Sequence, residues 1–594
     1  MRVLRAGLKS DDYTWRQIRP GIWQRDADEA EVFYSTLAKL YEGSGRMQFA
    51  ITGHISLTIK VPQDEDPEVV SKTLDESLRI AWLRQRYETP TIASKAHYDA
   101  LDGKWKKSYR TIPDDASTKA WLEKTFQVIV TTNQEGEAWA NSDPPAPHVA
   151  TLFVVCPVFE KRDPSTIRRD LVLRSPHDII DGIGTLHFLN SLVTKTAQAF
   201  REGDFFRSLP VFDGSEASNL SPPYRVAANI PLVPTPEQQA RLDALKSAPN
   251  PDDQASELAP LDIGIPYNTQ GPLLPAQSRR FSVFWSQEQL SALTTYLKTH
   301  CHPGTTVTHV FHAAIALTLR NMNNDGHSTS ANATPLHVVP GQKVRYTNYL
   351  LRNERPSCIQ PYNSPAHCVS VYHSFPATKL QIDMAPSVPF PQTTQNDRQA
   401  EFESILAQIR EFYTAVKDDD PQYHALLAPA IWAEWTRQLG VPEEVLNGEE
   451  KMDVPRPKDV PSVSISSMGV VDKIVKKWHS LGLSGSEEAE ESSSGDMESK
   501  GKGEGSQEGG EEEEFYERRR EGNLEVRWPW VTGDELSNGL GVFLGTFDGR
   551  LEISCVYNEA WHSEAEVKDF LSSLDFYVQE WMEGGSMNPY DDLG

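Results

Sequence analysis

The stretch "DLVLRSPHDIIDG", residues 170–182, does most to limit what this chain can become. "DLVLR" reads as a buried strand, and Pro176, which cannot continue a ladder, ends it. Beyond the stretch, Leu186, Leu189, Val193, Ala197 and Phe200 recur at helical spacing. A strand that passes into an amphipathic helix through so short a loop requires a sheet with a helix layered on it. His177 then lies in the loop, with Asp181 and Gly182 at the helix entry.

The same grammar recurs on both sides of a long connection. In "HISLTIKV", Ile55, Leu57, Ile59 and Val61 alternate with polar residues, as in a half-buried strand. A helix follows in 66–87, with Asp66 as its N-cap and Pro67 at its first position. "HVATLFVVCPV" adds a buried strand. Residues 208–278 are rich in Pro and polar residues and form a crossover linker, with one short helix near 236–247. "FSVFWSQEQLSALTTYLKTHC" then gives a strand and a helix, and "TVTHVFHAAIALTLRNM" a more apolar helix. "PLHVVP", "CVSVYHSF", "VPSVSISSMGVV", "LEVRWPWV" and "RLEISCVYN" are further strands. Asp548-Gly549 marks a hairpin turn. Ser563 and Glu566 form a capping box before the amphipathic helix of Val567, Phe570, Leu571, Leu574, Val578 and Trp581. The expected fold class is α/β (α+β). Its expected division is an N-terminal lobe over 1–207, the linker over 208–278, and a C-terminal lobe over 279–594. An acidic insertion at about 483–522 interrupts the second lobe; its run "EEAEESSSGDMESKGKGEGSQEGGEEEE" has no apolar face to bury and is expected to be disordered.

Composition narrows the function. A net charge of −26 argues against nucleic acid or an anionic membrane surface as partner. No apolar run approaches a membrane span, and the N-terminus lacks the apolar core of a secretory signal. Five scattered cysteines suit a reducing compartment, so a cytoplasmic location is expected.

The loop carries the chemistry. A base that takes a proton from an alcohol needs a near-neutral pKa, a fixed ring and access to substrate. Of the sixteen histidines, His177 alone has an aspartate four places on. Asp181 can brace the loop, and Gly182 permits a close approach or a backbone geometry that a Cβ would hinder. The plain alternative is a loop histidine followed by a helix-capping aspartate.

"SPHDIIDG" resembles the HxxxDG signature of the acyltransferase superfamily that includes chloramphenicol acetyltransferase, peptide-synthetase condensation domains and the plant BAHD enzymes. "IWQRDADEAEVFYSTLAKLYEGSGRMQFAITGHISL", "LRIAWLRQRYETPTIAS", "TVTHVFHAAIALTL", "PSVSISSMGVVD" and "GRLEISCVYNEAWH" are similar to the fungal trichothecene 15-O-acetyltransferase-like family, in order, over about residues 21 to 582. The resemblance implies two similar chloramphenicol-acetyltransferase-like lobes with a channel between them. It implies His177 as general base for direct acyl transfer without an acyl-enzyme, and Asp181 as a structural residue paired to an unidentified arginine. Gly182 would serve the loop geometry. Acetyl-CoA is the implied co-substrate, no cofactor is bound permanently, and the acceptor is a small-molecule alcohol of fungal secondary metabolism. A monomer can complete such a site.

Two departures are visible. Pro176 stands where condensation domains often carry a first histidine, and the plant DFGWG motif is missing, with "LGTFDGRLEIS" in its region. A carrier-protein-dependent condensation or release enzyme is the rival, and a non-catalytic binding protein on this fold the rival of another class.

Other groups weigh less. Ser466 and Ser467 in "VSISSMG" could donate to a developing oxyanion, against ordinary strand polarity. His300, Cys301, His302, His309 and His312 crowd one region without converging metal-ligand spacing, so capping and core roles are expected and no metal. "HYDALDG", 97–103, imitates the main motif without its strand and helix. There is no G-x-S-x-G elbow and no Walker A sequence.

Overall fold

The computed structural model describes residues 10–159, 163, 165–203, 209–246, 259–323, 339, 341–386, 394–418, 421–483 and 522–584. Two mixed sheets carry the architecture. The first has six strands in the order Trp478–Ser480, Asn523–Gly533, Ile51–Lys60, Thr166–Ser175, Thr151–Val158 and Phe126–Thr132. Only its last pair is parallel. The second has four strands, Ser278–Trp285, Arg550–Asn558, Leu540–Phe547 and Val463–Val470, and again the last pair is parallel.

Each sheet has its own core. Helices Pro67–Glu88 and Gly182–Glu202 bury Leu74, Leu78, Trp82, Leu186, Leu189 and Val193 against Ile55, Leu57, Leu171 and Leu173. On the second sheet, helices Val307–Met322 and Glu564–Met582 bury Phe311, Ile315, Phe570 and Leu574 against Ile553 and Val542. The helix starts follow the sequence: Asp66 caps the amide of Glu68 with Pro67 in the first turn, and Ser563 and Glu566 close a capping box. Asp548 and Gly549 both have positive φ, 53° and 72°, as a tight two-residue hairpin requires.

Several expectations need correction. The strand Ile51–Lys60 is buried on its polar face as well at Thr52, His54 and Ser56, while Thr58 and Lys60 are half-buried as expected. There Ser56 Oγ donates to the buried Asp170, which also receives the Gly136 amide at 2.7 Å. Around Ser56 the polar face is covered by hydrogen bonds within the protein. Nor do the sheets follow the 1–207 and 279–594 division, because Asn523–Gly533 inserts beside Ile51–Lys60 in the first sheet, with Leu524 opposite Ile59 and Gly533 opposite Ile51. Within "CVSVYHSF" only His373–Ser374 is a strand; the backbone before it bonds to the 177–182 loop instead of a ladder. "PLHVVP", apart from Val339, and the acidic run fall outside the described residues.

The helix Gly182–Glu202 lies very close to the sheet. A Cβ on Gly53 would stand 2.3 Å from Thr185 Cγ2 and 3.2 Å from Leu189 Cδ1. Gly53→Ala should therefore destabilise the fold by about 1–3 kcal/mol through overpacking, read as a lowered midpoint in thermal or urea unfolding.

Candidate active site

The strand Thr166–Ser175 delivers the chain to Pro176, and His177 follows in the loop before the helix Gly182–Glu202. Asp181 is the N-cap of that helix. Its Oδ1 accepts the Gly184 amide at 2.7 Å, and its main-chain oxygen accepts both the amide and the hydroxyl of Thr185. Its Oδ2 accepts Arg355 Nη1 at 3.0 Å and the Tyr372 amide at 2.8 Å. Its own amide donates to the Ser370 carbonyl. Arg355 is thus the arginine that the sequence leaves unidentified. Its second nitrogen donates to the Cys368 carbonyl, so one guanidinium ties the loop to the segment 368–372.

Electrostatics follow from this enclosure. Burial would raise the Asp181 carboxyl pKa, but Arg355, His373 and the hydrogen bonds outweigh it and hold it well below the carboxylate range. His177 moves the other way. Burial and the neighbouring His373 lower it to about 3, against a weaker upward pull from its own carbonyl and Asp181. Its Nδ1 is buried without a hydrogen-bond partner, while Nε2 is not sealed in this way and the residue keeps part of its surface accessible. A pKa this low leaves the ring uncharged at physiological pH.

Three residues that sequence reading missed complete the surroundings. Tyr34, on the helix Glu29–Tyr41, stacks on the His177 ring with centroids 3.8 Å apart and planes within 5°. Its hydroxyl lies 2.8 Å from His373 Nε2. The His373 ring is 5.5 Å from that of His177, and Trp432 packs against both Tyr34 and His373. The capping box of Asp28 and Glu31 marks the helix that bears Tyr34, but the pairing spans 143 positions from Tyr34 to His177, and no local pattern reveals it.

The loop is held from below as well. Lys107, fully buried, donates to the Asp178 carbonyl and to Glu31 Oε1, and Glu31 takes Arg25 in a two-pronged pair at 2.6 and 2.7 Å. Burial opposes ionisation of Glu31, but Arg25 and Lys107 prevail and bring it to about 2. Asp28, buried beside Glu31 and Glu29, rises to about 7.

The other expected residues are placed as follows. Gly182 opens the helix, and a Cβ there would meet Met468 and Val531 only at 3.6 Å, an ordinary contact. The close approach belongs to Gly184, where a Cβ would stand 2.2 Å from the Cys368 carbonyl oxygen and 2.8 Å from Arg355 Nη2. Ser466 is half-buried and Ser467 exposed on the strand Val463–Val470, where Ser467 Oγ accepts the Thr308 hydroxyl at 2.9 Å. Met468, the next residue, is the one that reaches Gly182. His309 and His312 pack around Tyr413 inside the helix Val307–Met322, while His300 stacks on Tyr296. Among the described residues no cluster of three His, Cys, Asp or Glu is arranged to hold a metal. The decoy "HYDALDG" is a hairpin corner between Lys95–Asp99 and Lys104–Arg110.

The family model described as 15-O-acetyltransferase Tri3 matches residues 11–346, which contain the whole strand–loop–helix unit. This chain belongs to the Tri3 15-O-acetyltransferase family. It is an enzyme, a CoA-dependent O-acyltransferase of fungal secondary metabolism. The acetyltransferase pigO of Monascus ruber is 22% identical over 564 residues, covering 94% of this chain and 96% of that protein. The O-acetyltransferase pigM of the same organism is 24% identical over 359 residues, 60% of each chain. The solved TRI3 trichothecene 15-O-acetyltransferase of Fusarium sporotrichioides superposes with a TM-score of 0.67 at 16% identity, covering 97% of this chain and 99% of that one. That likeness establishes the fold, two chloramphenicol-acetyltransferase-like lobes. No helix among the described residues is long and apolar enough to cross a membrane.

Removing Arg355 from this Tri3-family enzyme leaves Asp181 as a buried, uncompensated charge. Arg355→Met should lower unfolding stability by about 3–5 kcal/mol in urea titrations. The pH dependence follows from the lowered His177 pKa. In the unfolded chain this residue takes its proton near 6.5, before the folded state does, so its contribution to stability is complete above that value and falls as pH drops through it. The His177-dependent part of kcat/KM should stay level from about pH 8 down to about pH 5, and an inflection near 6.5 would show a ring titrating as it does in water.

Proposed function

We propose that this enzyme transfers the acetyl group of acetyl-CoA directly to a hydroxyl of a trichothecene-like sesquiterpenoid, with His177 as general base. The observation that carries the reading is the His177 ring itself: neutral, stacked on Tyr34 and fixed beside the Asp181–Arg355 pair. Nε2 takes the acceptor hydroxyl proton as the oxygen attacks the thioester carbonyl. The tetrahedral adduct collapses, the C–S bond breaks, and the imidazolium returns its proton to the departing CoA thiolate. No acyl-enzyme forms. A base in van der Waals contact with an aromatic face and shielded from water needs little solvent reorganisation as the charge moves. Asp181 acts structurally in this scheme, ordering the loop and the helix start.

The oxyanion role falls to the strand Val463–Val470. Because the Thr308 hydroxyl donates to Ser467, the Ser467 hydrogen is unspent, and the neighbouring Met468 contact brings this strand to the helix entry. Tyr34, Trp432 and Phe375 pack as a buried aromatic cluster behind the base, which keeps that side of the ring apolar. The acceptor class is taken from the trichothecene named for the solved Fusarium sporotrichioides enzyme. No cofactor other than the acetyl-CoA co-substrate enters the scheme, and one chain supplies every residue in it, so a cytoplasmic monomer suffices.

Incubation with acetyl-CoA and a panel of hydroxylated sesquiterpenoids, following free thiol, tests the reading. Thiol release should require an alcohol, and His177→Ala should reduce it by about 10²–10⁴-fold. Substantial turnover in His177→Ala would overturn the base assignment, and turnover only with carrier-bound acetyl would overturn the donor.

A further inference from the structure

His373 has no part in the scheme above, yet it is the only side chain described as touching both Tyr34 and Asp181. It lies on the two-residue strand His373–Ser374 and is buried. Its Nε2 meets the Tyr34 hydroxyl at 2.8 Å. Its Nδ1 is buried without a hydrogen-bond partner, and the nearest charge is Asp181 Oδ2 at 3.9 Å. In the neutral form of His373, a carboxylate at that distance favours the tautomer with the proton on Nδ1, pointing toward it. Nε2 is then an acceptor, and the Tyr34 hydroxyl is the donor. Donation polarises the phenol and leaves its oxygen and ring richer in electron density. That ring lies flat on His177, 3.8 Å away, where an electron-rich face stabilises the positive charge that His177 acquires when it takes the proton.

We infer that His373 is a positioning residue that couples Asp181 to His177 through the Tyr34 hydroxyl, orienting the base and favouring its protonated form as transfer proceeds. The inference rests on the proposed role of His177 as base. It gives Asp181 a second function: besides ordering the helix start, its charge sets the tautomer of His373 and hence the direction of the Tyr34 hydrogen bond.

The test is a double-mutant cycle on the full-length enzyme, with acetyl-CoA and the alcohol from the panel that turns over fastest. Tyr34→Phe keeps the stacked ring and removes only the hydroxyl. It should lower kcat roughly five- to twelve-fold, the value of one hydrogen bond, with the KM for acetyl-CoA unchanged and the unfolding midpoint lowered because His373 Nε2 loses its buried partner. His373→Leu should lower kcat to the same degree, and the double variant should be no slower than either single one, because both act through one bond. His373→Gln, whose carbonyl can accept from Tyr34, should regain most of the activity. Full activity in Tyr34→Phe, or losses that multiply in the double variant, would overturn the inference, and Tyr34→Phe decides the matter even if His373→Leu does not fold. A His177→Ala variant that turns over freely removes the base reading itself; an inactive His177→Ala with an unaffected Tyr34→Phe removes only the coupling.

Discussion

One carboxylate organises the centre of this molecule. Asp181 is buried, and its two oxygens receive the Gly184 amide, the Tyr372 amide and the Arg355 guanidinium. Burying a charge is costly, and a pair this deep adds little net stability over an apolar substitute. What it supplies is a unique arrangement. The amide of Gly184 belongs to the helix that follows His177, while Arg355 and Tyr372 belong to a segment about 170 to 190 residues later. The same carboxylate therefore begins a helix and docks a distant stretch of chain, with His177 in the loop just before it.

The chemistry depends on that enclosure. An imidazole in water spends part of its time protonated at neutral pH, whereas burial beside His373 keeps His177 neutral. The imidazolium that the proposed general-base step requires is then disfavoured, and the flat contact with Tyr34 counters that cost. The ionic cluster of Arg25, Glu31, Lys107 and Asp178 stiffens the loop from the opposite side, so the ring is clamped by packing above and hydrogen bonds below.

Much of this is legible in the residues, and the limits have physical causes. Local chemistry reads well: Pro67 and Asp66 start a helix, Asp548-Gly549 turns a hairpin, and Asp181 caps the helix after His177, because each acts within a few residues. Long-range pairing does not. Neither Arg355 nor Tyr34 carries a mark of its partner, and the strand Asn523–Gly533 gives no sign that it crosses to the first sheet. The motif's glycine misleads in an instructive way. Gly182 follows the aspartate in sequence, but Gly184 is the position where backbone and guanidinium leave no room for a Cβ, a constraint set by Cys368 and Arg355 across the interface. Alternation in Ile51–Lys60 suggests a wet face; only Asp170, 114 residues further on and opposite Ser56 on the neighbouring strand, shows that it is dry there.

Amide hydrogen exchange at Gly184 and Tyr372 tests the central claim most directly, since both amides donate to Asp181 although they lie 188 residues apart in sequence. If this carboxylate is the common anchor, both amides exchange only on global unfolding, and in Asp181→Asn both lose protection together while amides of the strand Ile51–Lys60 keep theirs. Rapid exchange of either amide in the unaltered protein, or protection that survives in Asp181→Asn, would contradict it.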